Sequence, residues 1–159
     1  KQRMKQQAIE CKCIRCREYG HRAQDGWEIG EPRIVRMDYE ASGGKEVFLS
    51  FEDENETLFG LLRMRIQSKP VARLRAEIRG NLALIRELHI YGPEVALKQR
   101  NPTAAQHKGL GKALLREAER IAGEEFQVPR MVVLSGIGAK EYYREFGYSS
   151  RGDYMVKNL

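Results

Sequence analysis

The sequence predicts an α/β fold of the α+β kind, with a mixed, mostly antiparallel sheet and flanking helices. Short β-type runs follow one another after residue 33 and are separated by polar turns, which favours an antiparallel meander. A helical period near residue 115 then lies between two further strand patterns. With 159 residues, 42% of them hydrophobic and 31% charged, the chain is long enough for one packed core beneath a polar surface.

Residues 1–33 are predicted to be a cysteine-rich basic connector that folds against the main body, residues 34–159. The connector contains all three cysteines and the single tryptophan, and it has no sustained helical or strand period. Because the chain begins at Lys1 and not at a methionine, we expect it to be a piece of a longer protein. It has no apolar run of about 18 residues and no signal-peptide pattern, so we expect a cytoplasmic protein with no membrane partner.

The first half of the main body is predicted to be a meander of three strands. Residues 34–39 have a β-type pattern, and a turn at residues 41–44 leads into a second run at residues 47–51. A polar turn at residues 53–56 leads into a third run at residues 58–65. Connections this short favour antiparallel hairpins.

The second half is predicted to alternate strands and helices after a polar, basic loop at residues 67–81. The expected elements are a strand at 82–91, a helix at 109–122 ended by Gly123, a strand at 131–134, a helix at 139–146 and a strand at 154–156. The helix should bury Leu110, Ala113, Leu114, Ala118 and Ile121 and keep Lys112, Arg116, Glu119 and Arg120 mostly outside. Strand alternation should place Leu84, Arg86, Leu88 and Ile90 on one face and Ile85, Glu87, His89 and Tyr91 on the other.

The run at residues 106–113, which enters the predicted helix, is expected to bind a pyrophosphate. Gly109 and Gly111 let the backbone approach a phosphate with no Cβ in the way, and the start of the helix offers free N–H groups and a partial positive charge. Two other phosphate motifs do not fit. The dinucleotide motif needs a third glycine three residues later, and a kinase-type P-loop needs Ser or Thr where Ala113 follows the lysine.

A net charge of +6 favours an anionic partner, and the basic residues are unevenly spread. Either a solvated basic face or a site for nucleic acid phosphate would account for two clusters. The clusters are Lys1, Arg3, Lys5, Lys12, Arg15, Arg17 and Arg22 in the connector, and Arg63, Arg65, Lys69, Arg73, Arg75 and Arg79 in the main body.

The thiols of Cys11, Cys13 and Cys16 are predicted to bind a metal ion. Three cysteines within six residues suit a soft metal better than a disulfide in a reducing compartment, where an odd count also leaves one thiol unpaired. Structural zinc is the first choice, with an iron–sulfur site and free thiols as the alternatives. The fourth ligand would be His21, His89, a carboxylate or a group from another part of the protein.

The order strand, glycine loop, helix, strand and tyrosine-rich helix resembles the acetyl-CoA-binding core of the GNAT acetyltransferase superfamily. Its Gln/Arg-x-x-Gly-x-Gly/Ala motif falls on Gln106, Gly109 and Gly111. The chain from about residue 11 to residue 159 is similar to the acetyltransferase domain of one GNAT family, the Elongator catalytic subunits, which modify tRNA uridines. The segments that carry this similarity are residues 86–92, 106–112, 135–138, 142–144 and 154–157.

The resemblance implies a GNAT fold and an acetyl-CoA site. The strand before the glycine loop would diverge from its neighbour and pair with the amide arm of acetyl-CoA, and Tyr143, with Tyr142 as second candidate, would act on the leaving thiolate. Glu87 and His89 are either a satisfied strand pair or a base and a water-positioning group. The acetyl-CoA-binding residues would be Glu87, Leu88, His89, Ile90, Gln106, His107, Lys108, Gly109, Leu110, Gly111, Lys112, Ala113 and Tyr143.

The resemblance also implies partners beyond this chain. These are tRNA, a radical-SAM domain with S-adenosylmethionine and an iron–sulfur cluster, and an Elongator-type assembly. In that family the connector lies near the tRNA, and Lys12, Arg15 and Arg17 would contact phosphate. Ordinary GNAT domains have two acceptor-binding helices after their first strand, where this chain has only residues 40–46. A protein lysine acetyltransferase, or a tRNA-binding module with a vestigial acetyl-CoA site, is therefore an alternative and not the first choice.

Overall fold

The computed structural model describes residues 10–67, 75, 78–92 and 109–159. Within these ranges the strands are β1 (Arg33–Ala41), β2 (Gly44–Glu52), β3 (Leu58–Ile66), β4 (Ala83–Ile90), β5 (Arg130–Leu134), β6 (Ser149–Arg151) and β7 (Tyr154–Asn158). The helices are α1 (Ile14–Arg17), α2 (Tyr19–Gln24), α3 (Leu110–Arg120) and α4 (Lys140–Arg144).

These strands form one mixed sheet in the order β1-β2-β3-β4-β5-β7-β6. Neighbouring strands are antiparallel except β4 and β5, which are parallel. The meander is confirmed: Ser42 and Gly43, with φ of 49° and 68°, form the tight turn between β1 and β2. The sheet therefore starts with a direct hairpin, with no helix between its first two strands.

Helix α3 packs the main core against one face of the sheet. Leu114, Leu115, Ala118 and Ile121 are fully buried there, against strand residues such as Leu62 and Met64. The predicted inward face is confirmed, and Leu115 joins it. A smaller cluster on the other side of the sheet contains Leu82, Val132 and Val156, with Leu84 packed against it.

The prediction that Gly123 ends this helix is wrong. The chain continues as a π-helical turn, Ile121–Glu125, in which the N–H of Phe126 donates to the carbonyl of Ile121 at 3.2 Å. The residue with positive φ is Gln127, at 51°. The helix thus ends by widening its last turn, since the N–H of Val128 also reaches back to Ala122 at 2.9 Å.

The predicted strict alternation along β4 is also wrong. Arg63 pairs with Glu87 and Met64 with Ile85, so Arg86 is an extra residue that forms a β-bulge. Before the bulge Ala83 and Ile85 face the α3 core, and after it Leu88 and Ile90 do. At the bulge the alternation therefore changes: odd-numbered residues face the α3 core before it, and even-numbered residues face that core after it.

The connector, described from residue 10, contains two short helices that its irregular pattern did not predict. Tyr19 packs against Phe59 with ring centroids 5.5 Å apart, and Glu18 forms an isolated parallel bridge with Leu58. The connector thus lies against the start of β3. The short strand β6 was also missed, because its three residues are polar and exposed. Of the described helices, none has the length and apolar character needed to cross a bilayer.

Candidate functional site

A groove opens where β4 and β5 diverge. Their parallel pairing covers three residue pairs and stops at Ile85 and Val133, beside the bulge. Among the described residues, the backbone of residues 87–90 therefore has a strand partner on the β3 side only. The groove has a volume of about 500 Å³. Its lining includes Leu88, Ile90, Gly109, Gly111, Lys112, Ala139, Tyr142, Tyr143 and Phe146.

The face exchange at the bulge decides which β4 residues line this groove. Leu88 and Ile90 form an apolar wall, whereas Glu87 and His89 are exposed on the opposite side of the strand. Glu87 Oε2 lies 3.6 Å from Arg63 Nη1. The Glu87 carboxylate is thus placed beside β3 and not among the groove-lining residues, and a catalytic role for it stays a prediction.

The first turn of α3 forms one end of the groove. Gly109 has φ of 97°, and the N–H of Ala113 donates to its carbonyl at 2.8 Å, which closes the first helical turn. The N–H groups of Leu110, Gly111 and Lys112 precede that bond, so no helical carbonyl accepts from them. Gln106, His107 and Lys108 lie outside the described residues. The described part of the run at residues 106–113 therefore offers the start of the helix and both glycines.

Gly111 lies in a tight space that the sequence did not show. A Cβ at this position would lie 2.8 Å from the Tyr142 hydroxyl oxygen and 3.5 Å from Ile90 Cγ1. The missing side chain lets α4 and the end of β4 close around the start of α3. Around Gly109, by contrast, an added Cβ would meet no atom within 4 Å.

Tyr142 and Tyr143 both line the groove, and their hydroxyls make no hydrogen bond to the described residues. Tyr143 is 7% exposed, and its ring meets those of Tyr142 and Tyr148 edge-on at 5.3 and 5.7 Å. Burial raises the pKa of Tyr143 to about 12, and it also raises the pKa of Tyr142. Both phenols are therefore protonated at neutral pH and available as hydrogen-bond donors.

Glu119, expected on the outer face of its helix, instead supports this aromatic cluster. Its Oε1 accepts from the Tyr148 hydroxyl at 2.9 Å, and its Oε2 lies 2.7 Å from Lys157 Nζ. The Glu119 side chain is only 15% exposed. Helical period alone could not reveal this role, because it depends on the strand and helix that pack beside α3.

The three cysteines come together as predicted from their spacing. The sulfur atoms of Cys11, Cys13 and Cys16 lie within 4.8 Å of one another, and His21 is not part of this group. Its Nε2 instead lies 3.3 Å from Glu18 Oε1. The backbone N–H of Cys16 lowers the pKa of Cys13, and donation by the Cys16 thiol to Cys13 raises the pKa of Cys16 to about 11.

Most described cations of the basic clusters are already paired within the chain. In the connector, Arg17 makes a two-pronged contact with Glu52 at 2.8 and 3.0 Å, and Lys12 Nζ lies 2.9 Å from Glu56. Arg22 is 2% exposed and donates to Glu10. In the main body the pairs are Arg63 with Glu87, Arg65 with Glu46 and Arg75 with Asp153. Lys1, Arg3, Lys5, Lys69 and Arg73 lie outside the described residues.

The connector also reaches the end of β4. The N–H of Tyr91 donates to the carbonyl of Phe59 at 2.8 Å, and Tyr19 of the connector packs on the Phe59 ring. Burial raises the pKa of Tyr91, with smaller effects from the carboxylates of Glu87 and Glu18. The connector and the end of β4 therefore meet at the same residue of β3, Phe59.

Comparison with known proteins supports this description. The family model for the Acetyltransferase (GNAT) family matches residues 15–148. A tRNA uridine(34) acetyltransferase of Dehalococcoides mccartyi is 51% identical over 94% of this chain and 33% of its own length. Human Elongator complex protein 3 is 44% identical over 99% of this chain and 29% of its own length. The chain therefore spans about a third of the length of these relatives.

A solved structure of archaeal Elp3 from Methanocaldococcus infernus, with an N-terminal deletion, has the same fold. Its TM-score is 0.85 at 46% identity, and the match covers 99% of this chain and 38% of that chain. An acetyltransferase from Pyrococcus furiosus gives a TM-score of 0.51 at 26% identity, over 73% of this chain and 67% of that one. Fold, groove and family match agree, and the chain belongs to the GNAT acetyltransferase family.

Proposed function

We propose that this chain binds acetyl-CoA in the β4–β5 groove and activates its thioester, as the acetyltransferase part of a tRNA wobble-uridine modifying enzyme. The observation that carries this proposal is the groove itself. It combines an opened strand pair, a glycine-rich helix start and two phenol hydroxyls without hydrogen-bond partners among the described residues. The names of the relatives support tRNA as the substrate.

The residues present fit acetyl-CoA. The Leu110, Gly111 and Lys112 N–H groups would hold the pyrophosphate at the positive end of α3. Residues 87–90 would form strand-like hydrogen bonds with the amide arm through the side that β5 leaves free. Leu88 and Ile90 would exclude water along the groove. The bound thioester would supply an activated acetyl group.

Tyr143 would donate a proton to the departing thiolate. The phenol is protonated at neutral pH, as an ordinary tyrosine is, and its raised pKa makes it a weaker acid than an ordinary tyrosine. What favours the role is position: the ring lines the groove and is fixed by the edge-on contacts with Tyr142 and Tyr148. In hydrolysis, water would attack the thioester carbonyl, the C–S bond would break, and the Tyr143 proton would pass to sulfur and be replaced from solvent. Tyr142, whose hydroxyl lies over Gly111, would orient the thioester or the pyrophosphate.

The wider reaction rests on the relatives and on protein beyond this chain. Docking of tRNA would trigger use of acetyl-CoA, and the acetyl group would serve carboxymethyl-uridine formation on a radical-SAM domain that carries S-adenosylmethionine and an iron–sulfur cluster. Residues 1–33 would be the connector to that domain, and residues 34–159 the acetyl-CoA-binding domain. An Elongator-type assembly in the cytoplasm is the proposed setting.

We further propose that Cys11, Cys13 and Cys16 bind structural zinc, because three thiols within 4.8 Å of one another suit a tetrahedral soft-metal site. His21, His89, a carboxylate or a group from the rest of the protein would complete it. Metal analysis of the purified protein should find about one zinc per chain. Iron with sulfide would indicate a cluster instead, and three titratable thiols without metal would refute the site.

Calorimetric titration with acetyl-CoA tests the groove. Gly109→Glu should abolish binding, since it places a carboxylate at the expected pyrophosphate position in open space. Gly80→Glu is the matched control, because Gly80 has a similar φ of 92° and equally open surroundings. Equal affinities for acetyl-CoA in the two variants would refute the proposal that this groove binds acetyl-CoA.

An assay of acetyl-CoA hydrolysis with the full-length protein tests the reaction, and we expect added tRNA to raise the rate. Complete acetylation of lysine peptides by this chain alone would instead favour a protein acetyltransferase. Salt-sensitive tRNA binding without any turnover would favour a tRNA-binding module with a vestigial acetyl-CoA site.

A further inference from the structure

We infer that Glu46 is a positioning residue, which holds the β-bulge of β4 through Arg86 and thereby sets the shape of the acetyl-CoA groove. This inference rests on the proposed function of the groove. Glu46 lies on β2, two strands away from β4, and nothing in its local sequence suggests a link to the groove.

The bulge lies where the groove begins, and β5 itself ends at Leu134, one residue after its last pair with β4. Arg86 is the extra residue, and pairing of β4 with β5 ends at the residue before it, Ile85. A bulge bends its strand and increases the local twist, which turns the rest of β4 away from β5. It also places Leu88 and Ile90, not Glu87 and His89, on the groove side. Loss of the bulge would shift this register by one residue and exchange the faces.

The side chain of the bulged residue is anchored. Arg86 Nη1 donates to Glu46 Oε1 at 3.0 Å, across the intervening strand β3. Arg65 of β3 donates to the same oxygen at 2.7 Å. Glu46 is 2% exposed, whereas the Arg86 and Arg65 side chains are 45% and 23% exposed. One buried carboxylate thus ties together three consecutive strands, β2, β3 and β4.

The anchor continues into the first hairpin. Arg65 also donates to the carbonyls of Ala41 and Ser42, both at 3.0 Å, and its guanidinium fills the space where a Cβ at Gly44 would lie. The turn that joins β1 to β2 therefore holds Arg65, which in turn holds Glu46. Because Arg65 is held by the turn, the Glu46 carboxylate is held in the position from which it accepts from Arg86.

Stability alone does not explain a buried carboxylate here. Both arginines share Oε1, and Oε2 is buried without a hydrogen-bond partner among the described residues. An unpaired buried charged oxygen costs stability, and apolar replacements of buried ion pairs are often neutral or stabilising. A role in fixing the bulge accounts for this costly arrangement.

The test compares Arg86→Met with Arg36→Met in the full-length protein. Arg36 is the matched control, because it is also an ion-paired sheet arginine but lies on β1, where it contacts Asp38 and Glu125. We expect Arg86→Met to raise the Kd for acetyl-CoA about tenfold, the effect of losing about one strand-like hydrogen bond to the amide arm. Arg36→Met should leave that Kd unchanged, and Arg86→Lys should restore part of the affinity.

A second readout separates positioning from folding. Both methionine variants should lower the melting temperature only slightly, since Arg86→Met removes one part-exposed ion pair and Arg36→Met removes two. If Arg86→Met does not fold, Glu46→Gln, which keeps the shape of the side chain, provides the same comparison of affinity. The inference fails if wild-type protein binds acetyl-CoA, Gly109→Glu does not, and Arg86→Met or Glu46→Gln binds as well as Arg36→Met. If wild-type protein does not bind acetyl-CoA, the proposed function itself fails.

Discussion

The connector and the groove differ in how far their polar groups are satisfied within the chain. In the connector, Arg17, Arg22 and Lys12 each have a carboxylate partner. In the groove, the Tyr142 and Tyr143 hydroxyls have none among the described residues. Neither hydroxyl is among the buried side-chain atoms without a partner, so both are donors at the open groove and not orphaned core groups. These charges of the connector are paired within the chain, although Arg17 Nε and Arg22 Nε are buried without a partner among the described residues, whereas the phenols of the groove are left for a ligand.

The largest effect is expected for Arg22→Met in the connector. Arg22 is buried, donates to the carbonyl of Asn55 and to Glu10, and lies 4.1 Å from the centre of the Trp27 ring. Loss of two charge-assisted hydrogen bonds and a cation–π contact should lower the free energy of unfolding by about 3 kcal/mol. Urea denaturation measures this value, and the acetyl-CoA affinity of the folded variant should not change.

Arg15→Met is the control for this prediction. Arg15 lies in the same segment, is exposed and makes no ion pair with the described residues. The comparison between connector and groove would break down if the two variants had the same stability, or if Arg22→Met weakened acetyl-CoA binding directly.

In the groove, Tyr143→Phe should affect turnover and leave stability unchanged. The hydroxyl has no partner among the described residues, so its removal should change the free energy of unfolding by less than about 0.5 kcal/mol. Loss of a general acid should slow tRNA-dependent acetyl-CoA hydrolysis roughly 100-fold. Tyr142→Phe is the companion variant, and a larger loss there would assign the acid role to Tyr142.

Alkaline pH should destabilise the chain through the same phenol. The pKa of Tyr143 is raised from 10.0 to about 12 in the folded state. Between these values the unfolded chain loses the proton and the folded chain keeps it, so stability falls as pH rises, by about 1.4 kcal/mol per pH unit for this group. Urea denaturation at pH 10 and pH 11 should show a smaller loss for Tyr143→Phe than for the wild type. Equal losses would contradict the buried placement of the ring.

The smallest effect separates two arginines of α3. Arg116 makes no ion pair with the described residues, whereas Arg120 contacts Glu117, Glu124 and Glu125. Arg116→Met should therefore weaken acetyl-CoA binding about threefold at low salt and reduce its salt dependence, because a free cation near the helix start attracts the phosphates. Arg120→Met should leave both quantities unchanged. Equal effects would show that pairing within the chain does not determine which cations act on the ligand.

Local sequence determined much of the fold. The hairpin turn at Ser42 and Gly43 and the buried face of α3 both follow from short-range chemistry, and both were predicted correctly. The bulge was not predictable in the same way, because alternation gives no sign of an extra residue. Its anchor, Glu46, lies 40 residues from Arg86.

The candidate site shows the same division. The glycines at the start of α3 and the tyrosine pair in α4 are visible as motifs, since their spacing along one segment is short. The tight space at Gly111 comes from the Tyr142 hydroxyl, which lies in a different helix. Glu119 likewise gains its partners, Tyr148 and Lys157, only after the sheet and helices assemble.

Trp27, which stacks against Arg22, is an intrinsic fluorescence probe for this chain. Trp27 is the single tryptophan of the chain, and it lies in the connector. Selectively excited indole fluorescence therefore follows that segment alone, undisturbed by the seven tyrosines. A change in emission or in iodide quenching on addition of acetyl-CoA, tRNA or a chelator would record movement of the connector in solution, without any added label.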